Sequence, residues 1–232
     1  MNTALVLAGG IGRRMGKNDC PKQYLMVRNR PIIDYSLLTL QRHEQIDHIV
    51  IVAAGEWHDY VNKWLHNSGI SKFSGYAEPG ANRQLSIFNG LKQIQETIPA
   101  TEKVIIHDAA RHILPVELVD ACLSGLEDAE GVMPVLPMKD TCYQSEDGKH
   151  ITGFLPRSQL FAGQAPESFR FEPYLKIHYQ MTEEELLQIS GSSEMAYKNG
   201  MDVLMVRGYE RNIKITSRED LSLLEQYLAS EV

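Results

Sequence analysis

A glycine-rich loop with paired arginines follows the first apolar segment of the chain. Residues 3–8 (TALVLA) have the composition of a buried strand, and they lead directly into GGIGRRMG at residues 9–16. Glycine lets backbone N–H groups approach an anion closely, and it tolerates positive φ angles. The positive side chains in and after the loop are Arg13, Arg14, Lys17 and Lys22. These residue types at this spacing predict a cradle for phosphates, with positive charge where a triphosphate would lie.

The spacing of this loop excludes the two commonest glycine motifs that bind phosphate. The dinucleotide fingerprint requires a third glycine where this chain has Met15. The P-loop requires a glycine and a hydroxyl residue at positions that here hold Ile11 and Asn18. The loop is therefore of a third kind, in which a Pro-Lys-Gln sequence follows the glycines.

Alternating apolar and amphipathic segments predict the elements that position this loop. Strands are predicted at 3–8, 47–53, 72–77, 103–107 and 131–136. Apolar residues recur at helical spacing in segments between them, at 31–42, 56–67, 83–98 and 115–127. This order predicts an α/β fold with a Rossmann-like, mostly parallel sheet and helices on both faces. Ligands bind such sheets beyond the carboxyl ends of the strands, where the glycine loop, the 78–83 loop and Asp108 fall.

The alternation is interrupted at residues 138–160. Two short β-like runs flank Glu146-Asp147-Gly148, which is a turn signal, so a projecting β-arm is predicted there. After the arm we expect a return to the core, with strands at 201–206 and 212–215 and a helix at 217–229. We interpret residues 1–232 as a single domain without internal repeats or a linker.

Composition and charge limit the classes of protein to which this chain could belong. A chain of 232 residues with 43% hydrophobic content can bury one sizeable core. The net charge of −7 argues against a general nucleic-acid binder. Residues 1–30 nevertheless carry six basic side chains and one acidic side chain. Positive charge is thus concentrated beside the glycine loop, as binding of a small anionic ligand requires.

The sequence also indicates the cellular compartment of the protein. No apolar run is long enough to span a membrane, and no charged-then-apolar leader precedes the first strand. Cys20, Cys122 and Cys142 are widely spaced and odd in number, which favours free thiols over a disulfide framework. No Cys/His cluster has the spacing of a zinc site. We therefore expect a cytoplasmic protein that does not contact a membrane.

Motifs along most of the chain resemble those of one group of nucleotidyltransferases. GGIGRRMG with PKQYL is similar to the loop of enzymes that make nucleoside-diphosphate sugars and polyols, which implies the nucleotide-diphospho-sugar transferase type of fold. The similarity is greatest to the cytidylyltransferases of 2-C-methyl-D-erythritol 4-phosphate and of ribitol 5-phosphate. Further motifs match in the same order: GANRQLSIFNGL at 80–91, IIHDAAR at 105–111, KDT at 139–141, Arg157, and NIKIT at 212–216.

The resemblance implies transfer of CMP from CTP to a polyol phosphate, with release of pyrophosphate. It implies that the catalytic residues are Arg14, Lys22 and Lys214. The nucleotide-binding residues that it implies are Leu7, Ala8, Gly9, Gly10, Gly12, Gly80, Ala81, Asn82, Arg83 and Ser86. The substrate-binding residues that it implies are Asp108, Arg111, Thr141 and Arg157. A carboxylate at the end of a strand is also a natural ligand for Mg²⁺, so Asp108 is the expected metal ligand.

In the resembled family the arm embraces a second subunit, and Thr141 and Arg157 act across the interface of the homodimer. The resemblance therefore implies that this chain is a homodimer whose active site needs two chains. The partners that we expect are CTP and a polyol phosphate, with Mg²⁺ as the cofactor. We expect no nucleic acid as a partner.

Each assignment also has a simpler interpretation. Arg14 and Lys22 are also compatible with a role in surface solubility alone, and Lys214 with protection of a strand edge. Asp108 is in a position that commonly caps a turn, and Ser86 is near the predicted start of a helix, where it would serve as a cap. His107 is interpreted as a packed residue without a chemical role.

Three segments depart from the pattern of the resembled family. His112 stands where that family usually has proline, and Gln164-Ala165-Pro166-Glu167 replaces Gln-Thr-Pro-Gln. Ile189-Ser190-Gly191 stands where the erythritol-phosphate enzymes typically carry Thr-Asp, so a carboxylate near the acceptor pocket is missing. These changes bear on the acceptor more than on the chemistry.

The acceptor stays open between two polyol phosphates. The LAGGIG opening and the Gly163-Gln164 pair favour ribitol 5-phosphate, whose product would serve a cell-surface polymer. The alternative acceptor is 2-C-methyl-D-erythritol 4-phosphate, whose product would be an isoprenoid precursor. Two further alternatives are a catalytically silent nucleotide-binding homologue and a nucleotidyltransferase for sugar 1-phosphates.

Overall fold

The structure of the chain is a computed structural model that describes residues 1–10 and 20–229. Its strands are β1 (Asn2–Leu7), β2 (Met26–Val27), β3 (Arg30–Pro31), β4 (His48–Val52), β5 (Phe73–Ala77), β6 (Lys103–Asp108), β7 (Gly131–Pro137), β8 (Cys142–Gln144), β9 (Gly153–Leu155), β10 (Phe161–Gly163), β11 (Glu167–Arg170) and β12 (Val203–Arg207). Its α-helices are α1 (Ile32–Arg42), α2 (His58–Asn67), α3 (Arg83–Thr97), α4 (Val116–Ser124), α5 (Phe171–Gln180), α6 (Glu183–Gln188), α7 (Ser192–Lys198) and α8 (Arg218–Ala229). Within these ranges, each helix is too short or too polar to cross a lipid bilayer. The predicted site residues Gly12 and Arg14, with Arg13 and Lys17, lie outside the described residues.

An eight-stranded sheet forms the centre of this structure, with β5, β4, β1 and β6 side by side in parallel. Beyond β6, strand β11 runs antiparallel and joins the parallel half to β7. Strand β7 pairs with β10 in antiparallel and with β12 in parallel orientation. The prediction of a mostly parallel α/β sheet is confirmed, because four of the seven pairings are parallel.

Helices cover both faces of the sheet, as predicted. Successive residues of a strand point to opposite faces, and β1 shows this with Ala4 and Val6 on one side and Leu5 on the other. The first side packs against α1, α2 and α4, and the second against α3, α5, α6 and α7. Helix α3, for example, buries Ile87 and Leu91, which recur at helical spacing on one face.

The register of the parallel strands brings four strand ends to one edge of the sheet. Leu7 is opposite Val52 in β4 and opposite Asp108 in β6, and Val52 is opposite Ala77 in β5. The loops that leave these ends therefore begin side by side. This edge is where the predicted site residues of the glycine loop, of the 78–83 loop and of β6 meet.

The predicted strand at 212–215 is wrong, because this segment forms no strand in the structure. Its backbone groups bond to other elements instead of to a neighbouring strand. The Ile215 N–H donates to the Ala110 carbonyl at 2.9 Å, and the Ile215 carbonyl accepts from Lys22 Nζ at 2.6 Å. The Asn212 carbonyl accepts from Arg111 Nη1 at 2.6 Å. We call residues 212–216 the strap, since they tie these parts together.

Several elements between 167 and 198 were not predicted. Strand β11 has only four residues, and α6 and α7 have six and seven, so each is too short to show a clear period. One signal was available at α6, where Thr182 and Glu185 form a reciprocal capping box. The Thr-x-x-Glu pattern would have indicated the start of this helix.

The β-arm is present as a hairpin of β8 and β9, outside the main sheet. Its turn is held by Asp147, whose Oδ1 accepts from the N–H groups of Lys149 and His150 at 2.8 Å each. Tyr143 and Phe154 are opposite each other in the hairpin and are 60% and 75% exposed. The arm therefore presents aromatic side chains that its own chain leaves largely uncovered.

A buried histidine in α5 makes the fold sensitive to acid. His178 is fully buried, and its Nδ1 donates to the Tyr174 carbonyl at 2.9 Å. Burial lowers the pKa of His178 from 6.5 to about 4, although the hydrogen bond to Tyr174 opposes the shift. The unfolded chain therefore binds more protons below pH 6.5, and the free energy of unfolding decreases as the pH falls from 6.5 towards 4.

We expect His178→Leu to reduce the pH dependence of the free energy of unfolding. The reduction corresponds to a difference of about one bound proton between the unfolded and folded states, or about 1.4 kcal/mol per pH unit. Urea unfolding of the wild type and the variant at pH 7, 6 and 5 measures the difference. His66→Leu is the matched control, because His66 lies exposed on α2. Equal pH slopes for the wild type and His178→Leu would contradict the expectation.

Candidate active site

A cavity of about 580 Å³ opens at the aligned strand ends. Pockets for small ligands commonly have volumes of ~300–1,000 Å³. Eleven of the predicted site residues line it: Leu7, Gly9, Gly10, Lys22, Gly80, Ala81, Asn82, Arg83, Ser86, Asp108 and Lys214. Residues that were not predicted complete the described lining: Gln23, Ala54, Pro79, Ala110 and Thr216. The cavity thus brings together residues from five separate parts of the sequence.

Two glycines allow the loops of the cavity to approach each other. A Cβ atom on Gly9 would lie 2.6 Å from Pro79 Cβ. With any larger residue at position 9, the glycine loop and the 78–83 loop could therefore not pack this closely. A Cβ on Gly80 would lie 2.6 Å from the backbone carbonyl carbon of Leu85. These glycines are needed here for close packing of backbone on backbone.

The amino end of α3 borders the cavity, and Asn82 is its cap. The Asn82 side chain accepts a hydrogen bond from the Leu85 N–H at 2.9 Å. Ser86 is therefore not the cap, since it lies inside the helix. Its hydroxyl donates to the Asn82 carbonyl at 2.7 Å and accepts from the Gly80 N–H at 3.0 Å. Ser86 thus fixes the turn that carries Gly80 and Ala81.

Gln23 holds the beginning of the glycine loop. Its Nε2 donates to the Ala8 carbonyl at 2.5 Å and to the Gly10 carbonyl at 2.9 Å. The Tyr24 hydroxyl also donates to the Ala8 carbonyl, at 3.2 Å. Ala8 therefore contributes a carbonyl to the support of the loop and does not line the cavity. The Pro-Lys-Gln sequence was noticed, but this role of the glutamine was not predicted.

Asp108 is the centre of an ionic cluster at the end of β6. Its Oδ1 accepts from Arg83 Nε at 3.3 Å, its Oδ2 accepts from Lys214 Nζ at 2.7 Å, and Arg111 Nε lies 4.0 Å from Oδ2. Burial alone would raise the pKa of this carboxyl, but the three positive charges outweigh burial and hold the pKa well below its ordinary value. Asp108 is therefore ionised at neutral pH, and its side chain binds cations instead of capping a turn.

The strap brings two lysines to the same cavity. Lys214 belongs to the strap itself, and Lys22 reaches it through the Ile215 carbonyl. Because the strap is not a strand, protection of a strand edge does not explain Lys214. Both ammonium groups line the cavity beside the only carboxylate that lines it in the described part of the chain, Asp108. This arrangement is suited to holding a strongly anionic ligand.

Arg83 connects the cavity to a second carboxylate that was not predicted. Its Nη2 donates to Glu167 Oε1 at 2.9 Å, and its Nη1 donates to the Ser192 hydroxyl. The other carboxylate oxygen of Glu167 accepts from the N–H and the hydroxyl of Ser193, at 2.9 and 2.8 Å. Burial alone would lower the pKa of Arg83, but Asp108 and Glu167 raise it above its ordinary value. No sequence pattern connects these residues, because 84 or more positions separate Arg83 from Glu167 and Ser192.

Three predicted substrate-binding residues do not line this cavity within one chain. Arg111 lies next to it, where it bonds the strap. Thr141 is exposed near the start of the arm. Arg157 is exposed as well, and its Nη1 donates to the Lys139 carbonyl at 2.7 Å. A role for Thr141 and Arg157 at a cavity of this kind would therefore need a second chain.

The described residues could hold a magnesium ion if substrate phosphates and water supplied most of its ligands. Mg²⁺ in proteins is commonly held by one or two carboxylates together with substrate phosphates and water. The described residues contain no group of three or more His, Cys, Asp or Glu that could hold a metal. Among the lining residues that the structure describes, only Asp108 could supply a carboxylate oxygen.

Sequence and structure comparisons identify relatives that cover nearly the whole chain. The profile of the 2-C-methyl-D-erythritol 4-phosphate cytidylyltransferase family matches residues 2–230. The ribitol-5-phosphate cytidylyltransferase of Vibrio parahaemolyticus is 32% identical over 231 residues, which are 100% of this chain and 97% of the relative. The 2-C-methyl-D-erythritol 4-phosphate cytidylyltransferase of Rubrobacter xylanophilus is 34% identical, over 98% of this chain and 94% of the relative.

The fold is also that of a solved structure. The 4-diphosphocytidyl-2C-methyl-D-erythritol synthase of Anaerococcus prevotii superposes with a TM-score of 0.81 at 25% sequence identity. The match covers 98% of this chain and 98% of that chain. The sheet and the cavity at its edge therefore belong to a known type of nucleotidyltransferase fold.

Proposed function

We propose that this chain, which belongs to the 2-C-methyl-D-erythritol 4-phosphate cytidylyltransferase family, uses ribitol 5-phosphate as its acceptor. It is a CTP-dependent nucleotidyltransferase, as are the relatives whose sequences it matches over nearly its full length. The products would be CDP-ribitol and pyrophosphate. The sequence features that favour ribitol, together with relatives named for that acceptor, support this choice over the erythritol phosphate.

The observation that carries the chemistry is the convergence of Lys22, Lys214 and Asp108 on one cavity. An oxygen of the acceptor phosphate attacks the α-phosphorus of CTP, and the bond to pyrophosphate breaks. Both reactants are anions, and further charge develops on the α-phosphate oxygens in the transition state. Catalysis then rests on positioning and electrostatic stabilisation, without a protein nucleophile. The two ammonium groups are placed to supply that stabilisation.

Asp108 has a different part in this mechanism. Its pKa is held so low that it cannot act as a proton donor at neutral pH. It orients Lys214 through their 2.7 Å contact, and it is the residue that would hold Mg²⁺. When bound, that ion would neutralise charge on the triphosphate oxygens.

The nucleotide would occupy the side of the cavity that is formed by the 78–83 loop. Gly80, Ala81 and Ser86 border it there, with backbone groups close to the surface. Small side chains allow backbone donors and acceptors to reach the edge of a pyrimidine. These positions support the assignment of the cytosine site, while the glycine loop faces the phosphates.

The test is pyrophosphate release from CTP and Mg²⁺ in two parallel reactions, one with ribitol 5-phosphate and one with 2-C-methyl-D-erythritol 4-phosphate. We expect release with the ribitol compound. Release with the erythritol compound alone would overturn the choice of acceptor and leave the chemistry intact. Release with neither, together with no binding of CTP, would favour the silent homologue.

We further propose that the enzyme is a homodimer in which each arm completes the other chain's active site. Two observations support this: the exposed Tyr143 and Phe154 of the arm, and the fact that Arg157 is not among the residues that line the cavity of its own chain. Exposed aromatic side chains are typical of surfaces that bind a partner.

The three free cysteines support the proposal of a cytoplasmic location.

A mixing experiment tests the shared site. Arg157→Ala and Lys214→Ala are each expected to be nearly inactive as homodimers. Random exchange of subunits should then produce heterodimers in which one of the two sites is intact, so about a quarter of the wild-type activity should return. Mixing without recovery, in a sample where subunit exchange is verified by mass, would contradict a site shared between chains.

A further inference from the structure

Glu167 is a buried carboxylate that does not line the cavity itself. It is only 5% exposed. One of its oxygens faces Arg83 at 2.9 Å, and the other accepts two hydrogen bonds from Ser193 at the start of α7. Buried carboxylates are costly unless they are paired and hydrogen-bonded. Glu167 meets both conditions, and its positive partner is a residue that lines the cavity.

Arg83 has two anionic partners and offers each of them a different nitrogen. Its Nε faces Asp108, while Nη2 faces Glu167 and Nη1 faces the hydroxyl of Ser192. Arginine binds a single carboxylate preferentially through two parallel N–H groups. Glu167 and Ser192 occupy both terminal nitrogens, so Asp108 receives only the Nε–H of this side chain. The other oxygen of Asp108 is left for Lys214.

We propose that Glu167 is a positioning residue: it holds the terminal nitrogens of Arg83 away from Asp108, so that only Nε contacts Asp108 and the other carboxylate oxygen stays available to Lys214 and to the ligand of the cavity. The inference deepens the proposed function and rests on it, because it concerns the arrangement of the same site. Without the carboxylate at 167, the guanidinium fork is free to close on Asp108 and to compete there with Lys214.

Helix α7 has one carboxylate, Glu194, but that side chain binds Ser190, Gly191 and Lys198, so the carboxylate that pairs with Arg83 comes from β11. Helix α7 begins after Gly191, and its first two residues are Ser192 and Ser193, whose hydroxyls bond Arg83 and Glu167. Gly191 has room for a side chain: a Cβ atom there would have its nearest neighbour at 3.7 Å, and its φ of −137° suits any residue. An aspartate at 191 would therefore fit the backbone, and it would add a negative charge next to Ser192 in the chain and beside Glu194, whose Oε2 accepts from the Gly191 N–H at 3.3 Å.

The test compares four proteins: the wild type, Glu167→Gln, the double variant Glu167→Gln/Gly191→Asp, and Glu172→Gln as the control. Glu172 is exposed on α5, so its change removes the same charge without touching Arg83. For each protein we would measure kcat, the KM for CTP and for the acceptor, and the temperature of unfolding. Loss of an outer partner of a catalytic group commonly costs ~10–100-fold.

We expect Glu167→Gln to lose about 10–100-fold in kcat, with the double variant recovering most of that loss and the control unchanged. Recovery of kcat by a carboxylate at 191 separates positioning from packing. A charge at 191, just before α7, replaces the charge lost at 167 but restores none of the packing of residue 167. A Glu167→Gln variant with kcat within a factor of two of the wild type would overturn the proposal. A folded double variant that is no more active than Glu167→Gln would overturn it as well.

If Glu167→Gln does not fold, Ser193→Ala takes its place. This change removes one of the two donors that hold Glu167 and leaves the charge. We then expect a loss of kcat that is smaller than tenfold but larger than twofold, and an unchanged kcat would overturn the proposal. An inactive wild type would instead show that the proposed function itself is wrong.

Discussion

Lys214→Ala is expected to lower kcat by about two to three orders of magnitude while the chain stays folded. The ammonium of Lys214 lines the cavity, where the charge of the transition state develops, and it lies 2.7 Å from Asp108. Truncation removes a preorganised positive charge from the lining of the cavity. The side chain is 38% exposed, so its loss should cost little stability compared with its effect on the rate.

Single-turnover measurement of pyrophosphate release, with CTP and acceptor saturating, would test this expectation. Lys72→Ala is the control, because the Lys72 ammonium is likewise held by an oxygen atom, the His43 carbonyl at 2.6 Å, but lies away from the cavity. A Lys214→Ala enzyme that turns over at near the wild-type rate would show that the electrostatic mechanism is wrong. A Lys72→Ala enzyme as slow as Lys214→Ala would show that the loss is not specific to the site.

Asp108→Asn is expected to abolish measurable turnover and to lower the stability of the ligand-free protein by about 3 kcal/mol. The variant keeps the shape of the side chain but removes the charge that Arg83, Lys214 and Arg111 share. These cations then repel one another in a partly buried site. The loss of the only carboxylate that lines the cavity within the described residues would also weaken any dependence of the rate on Mg²⁺.

The effect of Asp108→Asn on stability should depend on pH. The pKa of Asp108 is depressed in the folded state, so its contribution to stability is present above the carboxyl pKa of the unfolded chain, ~3.9, and is lost as the pH falls through the lower folded value. The wild type and the variant should therefore differ most at neutral pH and converge in strong acid. Urea unfolding at pH 7 and at pH 3 measures the two differences.

Asp34→Asn is the control for this experiment. Asp34 is as deeply buried, with Arg30 at 3.0 Å and the Ser68 hydroxyl at 2.9 Å, but it lies in α1 and does not line the cavity. We expect it to lose stability and to keep its kcat. An active Asp108→Asn enzyme would show that neither the ionic cluster nor metal binding at Asp108 is needed for turnover.

The sequence predicted the parallel part of the fold well because its signals are local. Apolar runs such as TALVLA and VIIH mark buried strands, and the loops after them carry the residues that meet at the cavity. The register that aligns Leu7 with Asp108 follows from neighbouring parallel strands of similar length. For this reason, most of the candidate site could be predicted from motifs and from their positions at strand ends.

The remaining features depend on contacts that no local pattern encodes. The alternation of Ile213 and Ile215 suggested a strand, yet the carbonyls of the strap bind side chains from distant segments. Glu167 was noticed only as a departure from a family pattern, and its pairing with Arg83 became visible through the position of β11 between β6 and β7. The alternative interpretation of Ser86 as a helix cap was wrong, because the cap of α3 is Asn82, four residues earlier.

The strap also joins residues that are made at very different times during synthesis of the chain. The ribosome makes the glycine loop and β6 first, but Lys214 and the carbonyl that anchors Lys22 are made more than a hundred residues after Asp108. Ile215 packs with Val27, Ile32 and Leu224, so α8 belongs to the same group of contacts. A growing chain can therefore form the parallel strands before Lys214 and the carbonyl that anchors Lys22 reach the cavity.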